Sequence, residues 1–308
     1  MKANQPGQRP IVGWLWHAAS ATAALLIVLL VSATWWVWAS PDTPMLILGP
    51  AIGILFAGPW WLYKQGQRHF LTPAEKVMAA DRRPPVVYLR SFVTEDRIGE
   101  EEIALSRILG AVGPFVAIGS PRDPLPPLGA SRFYLPGADW QSFVTNLVQR
   151  ARLVVVLAGQ TPGLEWELRL CRRELDPLQL IIALPKDEAA YGAFRNAARS
   201  AGLLLPDYPP QPEWPISGFL YAFVTFDAEW HSAITVRHYG TFDAASPLAA
   251  AVSVLRLELV DLLGSRGIAL GPEDEGIYDA IARHWRLGVI GVVVLALWKT
   301  FEMTQWRR

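Results

Sequence analysis

Apolar positions along the chain fall into two textures. From Ala18 to Ala39 the sequence reads AASATAALLIVLLVSATWWVWA, 22 residues without a charge, and Thr43 to Tyr63 adds a second uncharged stretch of 21 residues. At about 1.5 Å per residue, each reaches the roughly 30 Å of a bilayer's hydrocarbon core. Neither stretch has the polar face that a helix of a soluble domain turns to water. A short Pro-rich joint, Ser40-Pro41-Asp42-Thr43-Pro44, separates them. The pattern predicts a transmembrane helical hairpin over residues 18–63, with spans at 18–39 and 43–63. An N-terminal segment, 1–17, precedes it and a basic juxtamembrane linker, 64–83, follows. A cleaved signal peptide is the competing reading. It is disfavoured because no small-x-small site follows the first apolar core cleanly and a second apolar stretch follows at once.

Beyond Pro84 short apolar runs alternate with helical periodicity. Val86 to Leu89, Phe115 to Ile118, Leu153 to Leu157 and Leu180 to Leu184 are apolar at every position, and Gly218–Val224 and Ala233–Val236 supply further strands. Between them lie predicted helices at 100–109, 140–148, 165–175 and 187–201, with a last one at 248–263. Residues 119–137 read as a Pro-rich loop. Strands apolar throughout, alternating with helices, imply a parallel sheet covered on both faces. Right-handed crossovers then give an α/β, doubly wound, flavodoxin-like domain over 84–265. Such sheets bind ligands at the carboxyl ends of their strands, which directs attention to the loops after Leu89, Ile118, Leu157 and Leu184. In the C-terminal segment, 266–308, the run Leu287 to Trp298 is short for a span. It reads as a third membrane helix at about 285–302, or as an interfacial or buried one.

Charge sharpens the membrane reading. The 28 basic and 28 acidic side chains cancel overall, but residues 1–83 carry seven and three, residues 84–280 carry 16 and 24, and residues 281–308 carry five and one. Lys2 and Arg9 precede the first span, Asp42 stands alone in the joint, and Lys64, Arg68, Lys76, Arg82 and Arg83 follow the second. This bias puts the N-terminus and the main domain in the cytoplasm. Seven of the 14 tryptophans lie before residue 62. Trp35, Trp36 and Trp38 then fall at the outer interface, and Trp14, Trp16, Trp60 and Trp61 at the inner one. Abundant Ala and Pro, with Arg outnumbering Lys, suggest a GC-rich bacterial genome, so the expected location is the bacterial inner membrane, multi-pass. Confinement to a surface favours a homo-oligomer. No excess of Lys and Arg exists to neutralise a nucleic acid. The single cysteine, Cys171, excludes an internal disulfide and a Cys-cluster metal site, and no metal site is expected.

The most informative loop runs from Ala158 to Glu167, AGQTPGLEWE. Gly159 and Gly163 would let backbone approach a ligand closely. A helix start here offers free N–H groups and partial positive charge, and Glu167 is placed in its first turn. A carboxylate there also suits the helix dipole with no further role. Arg90 and Ser91, after the first strand, could contact phosphate or ribose. Arg90 reads equally as a surface ion pair with Glu95 or Asp96.

Gly137-Ala-Asp-Trp140 with its helix, the strand around Leu153 to Leu157, and Trp166-Glu167-Leu168 resemble the central part of TIR (Toll/interleukin-1 receptor-like) domains, where a Gly-x-x-Trp helix, an apolar strand and a Trp-bearing helix with a Glu follow in that order. Val86 to Asp96 occupies the place of the family's first strand and loop. The resemblance covers about residues 84 to 185. It implies a signalling or defence module that self-associates. In NAD-cleaving members the Glu is catalytic, which assigns that role to Glu167 and makes Trp166, Gly159, Gly163, Arg90 and Ser91 the ligand-binding candidates. The family often carries its Glu four residues after the Trp, where this chain has Leu170. The short loop with Gly163-x-x-x-Glu167 also resembles nucleoside deoxyribosyltransferases, in which a similar Glu is the nucleophile. Both resemblances imply attack on an N-glycosidic bond, with NAD or another nucleotide as substrate or ligand and no resident cofactor. A nucleotide sensor without turnover fits as well.

Overall fold

A computed structural model describes residues 7–38, 45–90, 99–120, 122–135, 140–159, 161–210, 220–236, 255–256 and 259–270. The joint between the two apolar stretches, Ser91, Gly137 and the proposed third membrane helix lie outside the described residues, as does most of the helix expected at 248–263. The chain divides into two compact units, one within residues 7–71 and the other within residues 72–274.

The first unit is built on helices α1 (Pro10–Trp38) and α2 (Met45–Arg68). Within α1, Pro10–Leu30 is long and apolar enough to cross a membrane, with a mean hydropathy of 1.7. The two helices run along each other in opposite directions. Trp16 meets Trp61 edge-on at 5.8 Å, and the Ser20 hydroxyl donates to the Pro59 carbonyl at 2.7 Å. The Gln8 amide donates to the carbonyls of Arg68 and Leu71 at 3.0 Å each, closing the carboxyl end of α2. Gly66 lets the helices approach, because a Cβ there would lie 2.3 Å from the His17 ring.

The second unit begins with a short helix, α3 (Ala74–Ala80), followed by β1 (Val86–Leu89), α4 (Gly99–Gly110), β2 (Phe115–Ile118), β3 (Ser131–Phe133), α5 (Trp140–Gln149), β4 (Leu153–Leu157), α6 (Pro162–Glu174), β5 (Leu180–Pro185), α7 (Glu188–Ser200), β6 (Leu220–Phe226) and β7 (Ser232–Val236). The strands form one sheet in the order β3-β2-β1-β4-β5-β6-β7. The pairs from β3 to β5 are parallel, and β6 and β7 are antiparallel. The fold is therefore α/β with a mostly parallel sheet. The four continuous apolar runs appear as β1, β2, β4 and β5. Two features depart from the expected strand arrangement. The Pro-rich segment contributes a seventh strand, β3, at the edge beyond β2. The last two strands instead return antiparallel through a tight turn, where Asp227 accepts from the backbone N–H of Glu229 and His231.

Alternate residues of each central strand feed two separate cores. Val87, Val154 and Ile182 pack with α5, α6 and α7 on one face. Tyr88, Val155 and Ile181 pack on the other face with α4 and with Leu255, Leu259 and Leu263 of the C-terminal helical residues. This two-sided burial explains why the strands are apolar throughout. The chain leaves β1 in one direction and returns to β4 on its other side. The carboxyl ends of β1 and β4 therefore flank the point where strand order reverses, the usual ligand crevice of open α/β sheets.

Candidate functional site

Two groups of residues occupy the carboxyl ends of these strands. The first lies on α6 and the loop before it. Thr161 caps the helix, its hydroxyl accepting from Leu164 N–H at 3.3 Å, and Pro162 takes the first helical position, where a missing N–H costs nothing. α6 thus starts three residues earlier than the apolar spacing suggests. Gly163 becomes part of its first turn and Glu167 moves into the second. A Cβ on Gly163 would meet no other protein group within 4 Å, so packing within the chain does not require this glycine.

Gly159, Thr161, Leu164, Glu165 and Leu168 line an open cleft of about 360 Å³, closed on its far side by Ala193, Phe194 and Ala197 of α7. The acid facing this cleft is Glu165, which also pairs with Arg169 at 2.5 Å. Glu167 does not line it. That side chain is half-buried on α6, and burial raises its carboxyl pKa to about 8. Among the described residues it has no hydrogen-bond or ion-pair partner. A carboxyl in such surroundings holds its proton near neutral pH and is competent as a general acid. Cys171, one turn further on, is fully buried, and burial followed by the Glu167 charge pushes its thiol well above the usual range. It is a packing residue. Trp166 packs edge-on against Trp140 at 4.9 Å, so the two tryptophans of the Gly-x-x-Trp and Trp-Glu motifs join α5 to α6.

The second group sits on the opposite face of the sheet. Arg90, 6% exposed, approaches Glu102 with Nε 3.6 Å from the carboxylate. Arg132 on β3, 1% exposed, donates from Nη2 to the same carboxylate at 2.6 Å and from Nη1 to the carbonyls of Pro127 and Ala130. The Ala130 N–H also donates to Glu102, at 3.1 Å. Glu101 receives the Leu220 N–H on both oxygens at 2.9 Å. The Tyr88 hydroxyl, buried beside these charges, is held well above its ordinary pKa by burial and then by Glu102.

Among the described residues Arg90 is therefore tied into a buried network with α4. No contact joins it to Glu167. Glu101 and Glu102 stand in the first turn of α4. They share the stripe of Leu105, Ile108 and Leu109 at three- to seven-residue spacing, a signal that they face inwards. Elsewhere, Asp227, Glu229 and His231 form an exposed group whose ligand atoms lie within 4.8 Å of one another. Two N–H groups and the His231 ring already occupy the Asp227 oxygens.

No protein-family model matches the chain, and no curated protein or solved structure is significantly similar to it.

Proposed function

We propose that the chain is a membrane-anchored, TIR-like module that acts by self-association at the cytoplasmic face of a bacterial inner membrane. The observation that carries this reading is the first unit. Between Pro10 and Trp38 and between Met45 and Tyr63 it has no charged residue, and Leu15, Leu25, Leu26, Leu29 and Leu30 stand exposed on α1. Water does not reward such a surface, and lipid does. On this reading α2 also crosses the bilayer, since it runs beside α1 and exposes Leu55, Trp60 and Trp61. The anchor holds the α/β domain at high local concentration, which favours weak contacts between copies. Arg90 supports a scaffold over a catalyst, because its guanidinium is paired to Glu102. Full-length chain in proteoliposomes should cross-link into species larger than a monomer at low lipid dilution. Monomer at every dilution would contradict the reading.

A specific observation favours a second reading, cleavage or transfer at the N-glycosidic bond of NAD or a nucleoside. Glu167 is an acid that burial keeps protonated near neutral pH, in the second turn of the helix that follows β4. A protonated carboxyl there could give its proton to a departing base, as acids do in glycoside cleavage. Incubation of the reconstituted chain with NAD or a nucleoside should then release free base, and Glu167→Gln should reduce the rate by about 100-fold or more. Equal rates in the two proteins would remove Glu167 from the chemistry.

A further inference from the structure

Among the described residues the sheet ends at β3 on one side and at β7 on the other, and the two edges differ in kind. β3 has three residues, with Arg132 at its centre, buried and bonded to Glu102 and to two carbonyls. A short strand and an inward charge both keep an edge from pairing with another chain. β7 has neither. It is five residues long, Ser-Ala-Ile-Thr-Val, without charge or proline and rich in β-branched side chains.

The turn before β7 fixes which of its backbone groups face the edge. The Asp227 N–H donates to the His231 carbonyl at 3.0 Å, so these two residues face each other. Antiparallel alternation then turns Ala233 and Thr235 towards Thr225 and Phe223 of β6. Ser232, Ile234 and Val236 turn their N–H and C=O groups outwards. Among the described residues none of these groups has a partner.

Apolar surface reaches the same edge. Ile234 and Val236 are half-buried at the rim of the core that α5, α6 and α7 cover. The Ser232 hydroxyl donates to the Leu204 carbonyl at 2.7 Å, which sets Leu204 beside the strand. At 70% exposure, Leu204 is the most exposed large apolar side chain described in the α/β unit.

We infer that two copies of the chain associate through β7, paired antiparallel about a twofold axis at Ile234. Ile234 then meets Ile234 of the second copy and Ser232 meets Val236, closed by about six main-chain hydrogen bonds. Leu204 comes beside Val236 of the second copy, so the core layer continues across the joint. The sequence favours a second copy over an unrelated strand. Asp227 and Glu229 precede the strand and Arg237, outside the described residues, follows it, so antiparallel self-pairing sets unlike charges at each end. A five-residue edge is a small interface, and confinement to a bilayer supplies the concentration that it needs. The inference rests on the self-association reading above and deepens it by naming the surface.

The test is oxidative cross-linking of full-length chain in proteoliposomes. Paired residues at the twofold lie about 5.5 Å apart between Cα atoms, within disulfide reach. Ile234→Cys should therefore give a covalent dimer, and Thr235→Cys, turned to the other face, about ten-fold less. The wild type is the blank, because Cys171 is buried. A second pair frees the test from the fate of one substitution. Chains with Ser232→Cys should cross-link to chains with Val236→Cys and not to themselves. Equal cross-linking of Ile234→Cys and Thr235→Cys, or of the mixed and unmixed samples, would overturn the inference. Bleaching steps of single fluorescent wild-type spots separate the two failures. Spots that bleach in several steps while the cysteine variants show no preference would remove this surface alone, and single-step spots would remove self-association with it.

Discussion

Glu167 holds its proton where an ordinary glutamate has lost it, and that has a stability consequence. Its folded pKa, about 8, lies above the unfolded value near 4.5. Between these values the folded chain binds more protons than the unfolded one, so stability falls as pH rises from about 4.5 to about 8. Water still reaches part of the side chain, so the loss is on the order of 2 kcal/mol rather than the full linkage value. Glu167→Gln should flatten this part of the stability–pH curve, measured by thermal melting of the full chain at pH 5 and pH 8. An unchanged slope would mean that the carboxyl is ordinary. Glu102 stands in the opposite situation, because it is the carboxylate that Arg90 and Arg132 share. Glu102→Gln removes the carboxylate that two buried guanidinium groups share and should cost roughly 3–5 kcal/mol. Urea unfolding in detergent reads this directly, and a loss below about 1 kcal/mol would show that the network is not a structural lock.

At the scale of elements, local chemistry decides what the sequence discloses. β1, β2, β4 and β5 are legible because two-sided burial leaves no polar position in them. β3 is hidden because its middle residue is Arg132, and the carboxylate that makes its burial tolerable lies 30 residues earlier on α4. No local window contains both. The start of α6 is misread for a related reason. Pro162 reads as a breaker, yet behind a capping Thr161 it is a favoured first residue. Three residues of helix are nearly a full turn, so the early start decides which acid faces the cleft, and it is Glu165. Gly163, taken as a glycine needed for ligand approach, sits on an open helix surface. Gly163→Ala should therefore stabilise the domain by about 0.5–1 kcal/mol through helix propensity and reduced unfolded-state entropy. Destabilisation in a melting experiment would show that packing does require the glycine.

At the scale of the whole molecule, the zero net charge conceals an acidic middle, with 16 basic and 24 acidic side chains over residues 84–280, between two basic flanks. On the proposed anchoring, an anionic bilayer attracts the flanks and repels the middle.

Anchorage and association are read together by counting copies in a bilayer. Full-length chain carrying one fluorophore is reconstituted in supported bilayers containing phosphatidylglycerol, at a surface density low enough to resolve single spots. The spots are then photobleached. Membrane-anchored self-association predicts laterally diffusing spots that resist a salt wash and bleach in two or more steps. Spots that stay in the bilayer and bleach in a single step would contradict self-association, and spots that the salt wash removes would contradict the anchor.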